Sequence, residues 1–133
     1  MLRHRIAAIV VTSLTALGLL AVATPHAEAT STCRQNVYGY GGTGNCVKAI
    51  QALVSASSSV SPSRSDIGYT IARDGSYGSK TTAAVRKYQK VQGLVVDGRV
   101  GPKTWGQLCY HGAYWGDNKT LEAHYEWAKS YAC

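Results

Sequence analysis

Side chains that could act as an acid, a base or a metal ligand are few in this sequence. After residue 29 there are two histidines, His111 and His124, and six carboxylates: Asp66, Asp74, Asp97, Asp117, Glu122 and Glu126. None of them falls in an H-E-x-x-H motif, and no G-x-S-x-G occurs. Glu122 and Glu126 are one helical turn apart, and His124 points about 160° away from their shared face, so they predict a solvated helix face. We therefore predict that the protein is not an enzyme and holds no cofactor and no metal.

The strongest pattern is a repeated turn signal. D-G-S-Y-G-S-K-T at 74–81 matches D-G-R-V-G-P-K-T at 97–104 in its Asp, both Gly, Lys and Thr. In each copy the aspartate can accept hydrogen bonds from downstream amides and the next glycine can adopt a positive φ, which predicts a tight turn. We expect the second glycine to allow close backbone approach and the proline to begin a helix. The predicted turn residues are Asp74, Gly75, Gly78, Asp97, Gly98, Gly101 and Pro102.

The turn role also bears on catalysis. Asp74 and Asp97 could supply the two carboxylates of a glycoside hydrolase. Local hydrogen bonding within the D-G turns already accounts for both residues, so we favour the structural role.

Apolar spacing predicts an all-α fold. A first helix follows an irregular lead-in at 30–45, a second covers about 79–92 between a Ser79 cap and Gly93, and a short third one follows Pro102. A fourth helix covers 118–132. The residues expected to face inward are Val47, Ile50, Leu53, Val54, Ala84, Val85, Tyr88, Val91, Trp105, Leu108, Cys109, Leu121, Tyr125, Ala128 and Ala132.

Residues 1–29 are typical of a signal peptide. Two arginines precede an apolar run at 6–23, and an A-x-A site at 27–29 follows, which predicts cleavage after Ala29; a retained membrane anchor is the alternative. The chain has 14 Lys and Arg against 7 Asp and Glu, a net charge of +7. This excess is spread along the chain without a basic cluster, so we predict no nucleic-acid partner.

Four cysteines in an exported chain predict two disulfides. We favour Cys33 with Cys46 and Cys109 with Cys133, because each pair ties an extension to the nearest end of the helical core. The rival pairing is Cys33 with Cys133 and Cys46 with Cys109. Zinc is disfavoured, since no C-x-x-C pair occurs.

From about Gly41 to Cys109 the sequence resembles the type 1 peptidoglycan-binding domain, a small three-helix module. The resemblance rests on G-G-T-G-N followed by V-K-A-I-Q-A-L at 47–53, on D-G-S-Y-G-S-K-T-T-A-A-V-R-K-Y-Q at 74–89, and on G-L-V-V-D-G-R-V-G-P-K-T-W at 93–105. Three departures stand out: a long serine-rich loop from Ser55 to Arg73, Tyr88 in place of the usual Phe, and a tail after Tyr110. The implied organisation is a signal peptide (1–29), the lead-in (30–45), the compact three-helix module (46–109) and a helical extension (110–133).

The resemblance implies a secreted, extracellular or wall-associated protein that binds peptidoglycan, through its glycan or its stem peptide, without catalysis. Such a ligand needs aromatic faces, amides and cations. Tyr77, Arg86, Gln89 and Trp105, in or beside the repeat units, supply these groups and are the predicted ligand-binding residues. We expect a monomer that is free of the membrane after cleavage. Two alternatives remain: a minimal wall hydrolase, and a disulfide-stabilised interaction or inhibitor protein.

Overall fold

The computed structural model describes residues 32–57, 71–111 and 118–133. A short 3-10 helix, Thr32–Gln35, is followed by four α-helices: α1 (Asn45–Ser57), α2 (Ser79–Val91), α3 (Pro102–Tyr110) and α4 (Lys119–Ala132). The all-α prediction is confirmed for these residues, which contain isolated β-bridges in addition to the helices. The predicted signal peptide, Asp66, Asp117 and most of the predicted serine-rich loop lie outside the described residues.

Helix α1 lies at the centre of the fold. Val47 and every residue from Ala49 to Ser57 are buried. The helix continues into the segment predicted as a serine-rich loop, because the Ser57 hydroxyl donates to the Leu53 carbonyl one turn back, at 2.8 Å. The hydroxyl of Ser57 therefore has its hydrogen-bond partner within the helix, and the helix does not end before this residue.

Helices α2 and α3 begin in the same way, but not as predicted. Their N-cap residues are Gly78 and Gly101, both with extended backbone and without a side-chain cap hydrogen bond, so the prediction that Ser79 caps α2 is wrong. The expected close backbone approach at these glycines is also absent. A β-carbon on Gly78 would meet no atom within 4 Å, and one on Gly101 would lie at an ordinary 3.7 Å from Val37 Cγ2. Pro102 is the first residue of α3, as predicted.

The lead-in crosses both D-G turns and ties them together. Tyr38 exchanges backbone hydrogen bonds with Val100, at 3.1 and 2.8 Å. The Gly41 amide donates to the Tyr77 carbonyl at 2.9 Å, and the Tyr77 amide donates to the Gly42 carbonyl at 2.8 Å. The lead-in has no long helix or strand of its own, so backbone groups of Tyr38, Gly41 and Gly42 are paired with the two turns instead.

Helix α4 completes the core. It packs on α1, and its buried residues are the predicted stripe of Leu121, Tyr125, Ala128 and Ala132. Asn118 caps it, accepting the Leu121 amide at 3.0 Å. Both favoured disulfides, Cys33–Cys46 and Cys109–Cys133, are present. The second one holds the end of α4 beside the end of α3, where Lys129 Nζ donates to the Cys109 carbonyl.

Candidate functional site

A buried glutamine closes the second D-G turn. Gln89 Nε2, on α2, donates to Asp97 Oδ1 at 2.9 Å and to the Arg99 carbonyl at 2.7 Å. Gln89 Oε1 accepts the Gly98 amide at 2.9 Å, and Asp97 Oδ1 accepts the Arg99 amide at 2.8 Å. Gly98 has φ of 73°, the positive value that the D-G signal predicts. One side-chain amide therefore satisfies donors and acceptors of the whole turn.

The first D-G turn repeats this arrangement with a glutamine from α1. Gln51 Nε2 donates to Asp74 Oδ1 at 2.8 Å and to the Ser76 carbonyl at 3.1 Å, and Gln51 Oε1 accepts the Gly75 amide at 2.9 Å. Gly75 has φ of 78°. The repeat seen in the sequence is thus a repeat of structure, built from a helix glutamine and the turn that it closes.

Hydrogen bonding lowers the pKa of both turn aspartates. The pKa of Asp97 is lowered from its ordinary value of 3.8, chiefly because the carboxylate accepts the Arg99 amide, with Gln89 acting in the same direction. The pKa of Asp74 is lowered in the same way by the Ser76 amide and then by Gln51. At neutral pH the two groups are therefore anionic hydrogen-bond acceptors.

Three of the four predicted ligand-binding residues are buried. Tyr77, Gln89 and Trp105 are exposed by 1%, 1% and 0%. Tyr77 Oη donates to the Gly98 carbonyl at 2.8 Å, and its pKa is raised by burial and by the Asp97 charge. Trp105 packs edge-on against Tyr38, with ring centroids 6.1 Å apart. Burial argues against direct ligand contact, because these side chains offer almost no surface, and each of them holds a turn or the core instead.

Arg86, the fourth predicted residue, is exposed on α2 and lines an open groove of about 510 Å³. One side of the groove comes from the lead-in, with Tyr40 and Val37 exposed by 79% and 52%. The other side comes from α2 and the second D-G turn, with Thr82, Arg86 and Arg99. We call this feature the lead-in groove. It combines an aromatic ring, an apolar side chain, a hydroxyl and two guanidinium groups in one concave surface.

Sequence reasoning missed Gln51, Tyr40 and Arg99. A signal for Gln51 exists, since V-K-A-I-Q at 47–51 has the same spacing as V-R-K-Y-Q at 85–89. Tyr40 is a large aromatic between glycines, in a segment that offers no helix to bury it. Arg99 stands at a variable position of D-G-x-x-G, where the first unit has Ser76.

The described ranges contain neither a cluster of metal-binding side chains nor a membrane-spanning helix. No group of three or more His, Cys, Asp or Glu side chains that could hold a metal ion occurs there. None of the four helices is long and apolar enough to cross a membrane.

Comparison with known proteins points to one family. The family model described as "Putative peptidoglycan binding domain" matches residues 65–108. An uncharacterized protein in the bpoA1 3' region of Kitasatospora aureofaciens is 34% identical over 116 residues, which cover 80% of this chain and 91% of that protein. A crystal structure of a peptidoglycan-binding protein from Clostridioides difficile in complex with glutamine hydroxamate is 38% identical, with a TM-score of 0.44, covering 55% of this chain and 40% of that one.

The family match includes both D-G turns, all of α2 and most of α3, whereas Val37 and Tyr40 on the other side of the lead-in groove lie outside it. The features shared with the family are thus the duplicated turn-and-helix units that the buried glutamines hold. Residues 65–108 therefore belong to the peptidoglycan-binding domain family, and over most of its length the chain is a relative of the Kitasatospora protein.

Proposed function

We propose that this protein is exported, loses residues 1–29 and binds bacterial cell-wall peptidoglycan without cutting it. The observation that carries the proposal is the lead-in groove, which Tyr40 and Arg86 both line, beside the segment that matches the peptidoglycan-binding family. An exposed aromatic ring can pack on an apolar part of a ligand, and guanidinium groups bind carboxylates. Two disulfides support a location outside the cytoplasm.

Three of the four acidic residues that the structure describes, all except Glu126, support a binding role over hydrolysis. A glycoside hydrolase needs one carboxyl group with a raised pKa as its general acid. Asp74 and Asp97 have lowered pKa values and are engaged by the amides of their own turns. Glu122, on α4, pairs with Lys119 at 3.1 Å. None of these three is arranged as a proton donor to a ligand in the lead-in groove.

Sedimentation with purified sacculi tests the proposal. The mature protein should pellet with the sacculi, and the supernatant should contain no released muropeptides. Tyr40→Ala should weaken pelleting, and Tyr110→Ala is the matched control, because Tyr110 is similarly exposed, at 84%, but does not line the groove. Folded protein that remains in the supernatant would overturn wall binding and favour the interaction-protein alternative. Soluble fragments would instead overturn the non-catalytic role.

Export is tested separately by the intact mass of the protein recovered from culture medium. We expect a mass that begins at Thr30. A mass that retains residues 1–29 would contradict cleavage and support an anchored form.

A further inference from the structure

We propose that Arg86 and Arg99 form a carboxylate clamp, so that the lead-in groove binds the acidic stem peptide of peptidoglycan and not its glycan strand. The inference rests on the proposed function and adds the part of the polymer that is recognised. It starts from the two guanidinium groups, which both line the groove and both belong to exposed side chains.

Two glycines hold the arginine stems in place. A β-carbon on Gly98 would lie 2.9 Å from Arg86 Nε and 3.1 Å from Arg86 Cγ, so the Arg86 stem lies directly on that glycine. A β-carbon on Gly39 would lie 3.4 Å from Arg99 Cγ and 3.9 Å from Arg99 Nε. Each arginine therefore packs on the backbone of the groove, which reduces the conformational freedom lost on binding.

The groove carries an excess of positive charge. Among the residues that the structure describes, the recorded ion pair joins Lys119 to Glu122, on α4, and involves neither groove arginine. Asp97 is the carboxylate that lines the groove, and its Oδ1 already accepts from Gln89 and from the Arg99 amide. Two guanidinium groups and one carboxylate thus line the groove, which leaves a net positive charge for an anionic ligand.

The chemistry of the polymer decides which part supplies the anion. In peptidoglycan the lactyl carboxyl of the glycan is consumed in the amide bond to the peptide, so free carboxylates belong to the stem peptide. Guanidinium binds carboxylate through paired, charge-assisted hydrogen bonds. The exposed rings and methyls of Tyr40 and Val37 complete the site as an apolar surface for alanine side chains of the same peptide.

The first turn unit provides an internal control. Lys48 occupies on α1 the position that Arg86 occupies on α2, and a β-carbon on Gly75 would lie 3.0 Å from Lys48 Cε. Ser76 stands where the second unit has Arg99. The first unit therefore has one cation over its turn glycine and lacks the second arginine. Lys48→Gln removes the same charge as Arg86→Gln but leaves the groove intact.

The experiment measures pelleting with two forms of sacculi, native and exhaustively amidated at their carboxyl groups with methylamine. Amidation leaves glycan and peptide in place and converts each free carboxylate into a neutral methylamide. We expect the wild type to bind native sacculi and to bind amidated sacculi at least about tenfold less, because amidation removes the anion for both arginines and one charge-assisted hydrogen bond contributes about that factor. Soluble stem peptides should compete for binding, and soluble glycan strands should not.

Single substitutions show which side chains bind the carboxylates. Arg86→Gln and Arg99→Gln should each weaken binding to native sacculi roughly tenfold, whereas Lys48→Gln should bind like the wild type. Arg99 supports its turn through backbone atoms, so its side chain can be replaced without loss of those bonds. Circular dichroism and thermal unfolding establish that each variant is folded before binding is scored.

The outcomes separate the two proposals. Folded wild type that does not bind native sacculi overturns the proposed function. Equal binding to native and amidated sacculi, or competition by glycan strands instead of peptides, overturns the carboxylate clamp and leaves wall binding standing. Arginine variants that bind like Lys48→Gln also overturn the clamp.

Discussion

At the scale of single residues, the buried glutamines hold the two D-G turns together. Gln89 makes hydrogen bonds to Asp97, Gly98 and Arg99 from a position that is only 1% exposed. Loss of a buried partner costs more than the bond contributes, because the remaining groups stay desolvated. The amide of Gln89 is thus a structural element of the second turn, although its polarity first suggests a ligand contact.

We expect Gln89→Leu to lower the free energy of unfolding by roughly 2 to 4 kcal/mol, since at least the Gly98 amide and the Arg99 carbonyl lose a partner. Urea denaturation measures this change. Gln92→Leu is the control, because Gln92 is half-buried at the end of the same helix, outside the turn. Equal stabilities of the two variants would contradict the assigned network.

Gly98 is constrained by both its backbone and its neighbours. Gly98→Val places a β-branched side chain at φ of 73° and a β-carbon 2.9 to 3.1 Å from Arg86 and Thr82 atoms. The loss should exceed about 2 kcal/mol. Gly106→Ala, in α3, would meet no atom within 4 Å and should be neutral or stabilising by up to about 1 kcal/mol. Thermal unfolding compares them, and an unchanged melting temperature in Gly98→Val would refute the turn.

The turn aspartates predict an acid-sensitive fold. Asp74 and Asp97 have folded-state pKa values below 3.8, so their stabilisation is complete above the unfolded-state pKa and is lost as the pH falls below about 4. We expect the melting temperature to drop over that range. The fall in melting temperature on acidification should be smaller in Asp97→Asn, which lacks one of these carboxylates. Glu126→Gln, which changes an exposed residue of α4, is the control and should keep the full fall. Identical pH profiles for both variants would contradict the linkage.

At the scale of helices and loops, α4 is part of the core and not an appendage. The central helix α1 is buried over almost all of its length because α4 covers the side that α2 and α3 leave open. A three-helix module that ends at Cys109 would leave apolar residues of α1 in water, and burying such residues is the main favourable contribution to folding.

Two changes to the chain separate the contribution of the Cys109–Cys133 disulfide to stability from the contribution of the packing of α4. Replacing Cys109 and Cys133 by alanine keeps the helix and should cost about 3 kcal/mol, the usual effect for a closed loop with a sequence separation of 24. Truncation after residue 111 removes α4 itself and should leave a chain that does not fold cooperatively. Denaturant titration distinguishes the two, and a truncated chain as stable as the alanine variant would show that α4 is dispensable.

At the scale of the whole molecule, we expect charge to contribute to the proposed binding. The chain carries an excess of basic residues, and two of them lie in the lead-in groove. Exposed charge pairs are screened over roughly 8 Å at physiological salt and about 3 Å at 1 M. We therefore expect binding to sacculi to weaken steadily as sodium chloride rises. Binding that is unchanged at 1 M salt would indicate that apolar and neutral contacts hold the ligand.

The sequence by itself determined the features that depend on near neighbours. Asp97 followed by Gly98 specifies its turn because the carboxylate reaches its own downstream amide, and Pro102 suits the first position of α3 because it lacks an amide hydrogen. The apolar stripe of α4 follows from helical spacing. The sequence left two disulfide pairings open, and the structure contains the favoured one, in which each bond closes a short tether at the edge of the core.

Only the tertiary structure decided which polar and aromatic residues meet solvent. In the sequence, Tyr77 and Gln89 are candidate ligand-binding residues. In the fold both are buried, because the backbone of the second turn needs hydrogen-bond partners away from water, and these two side chains bind it at Gly98. The lead-in groove joins Tyr40 to Arg86, two residues far apart in the chain. Local patterns carry no information on such pairs, since their proximity depends on where the lead-in crosses the second turn.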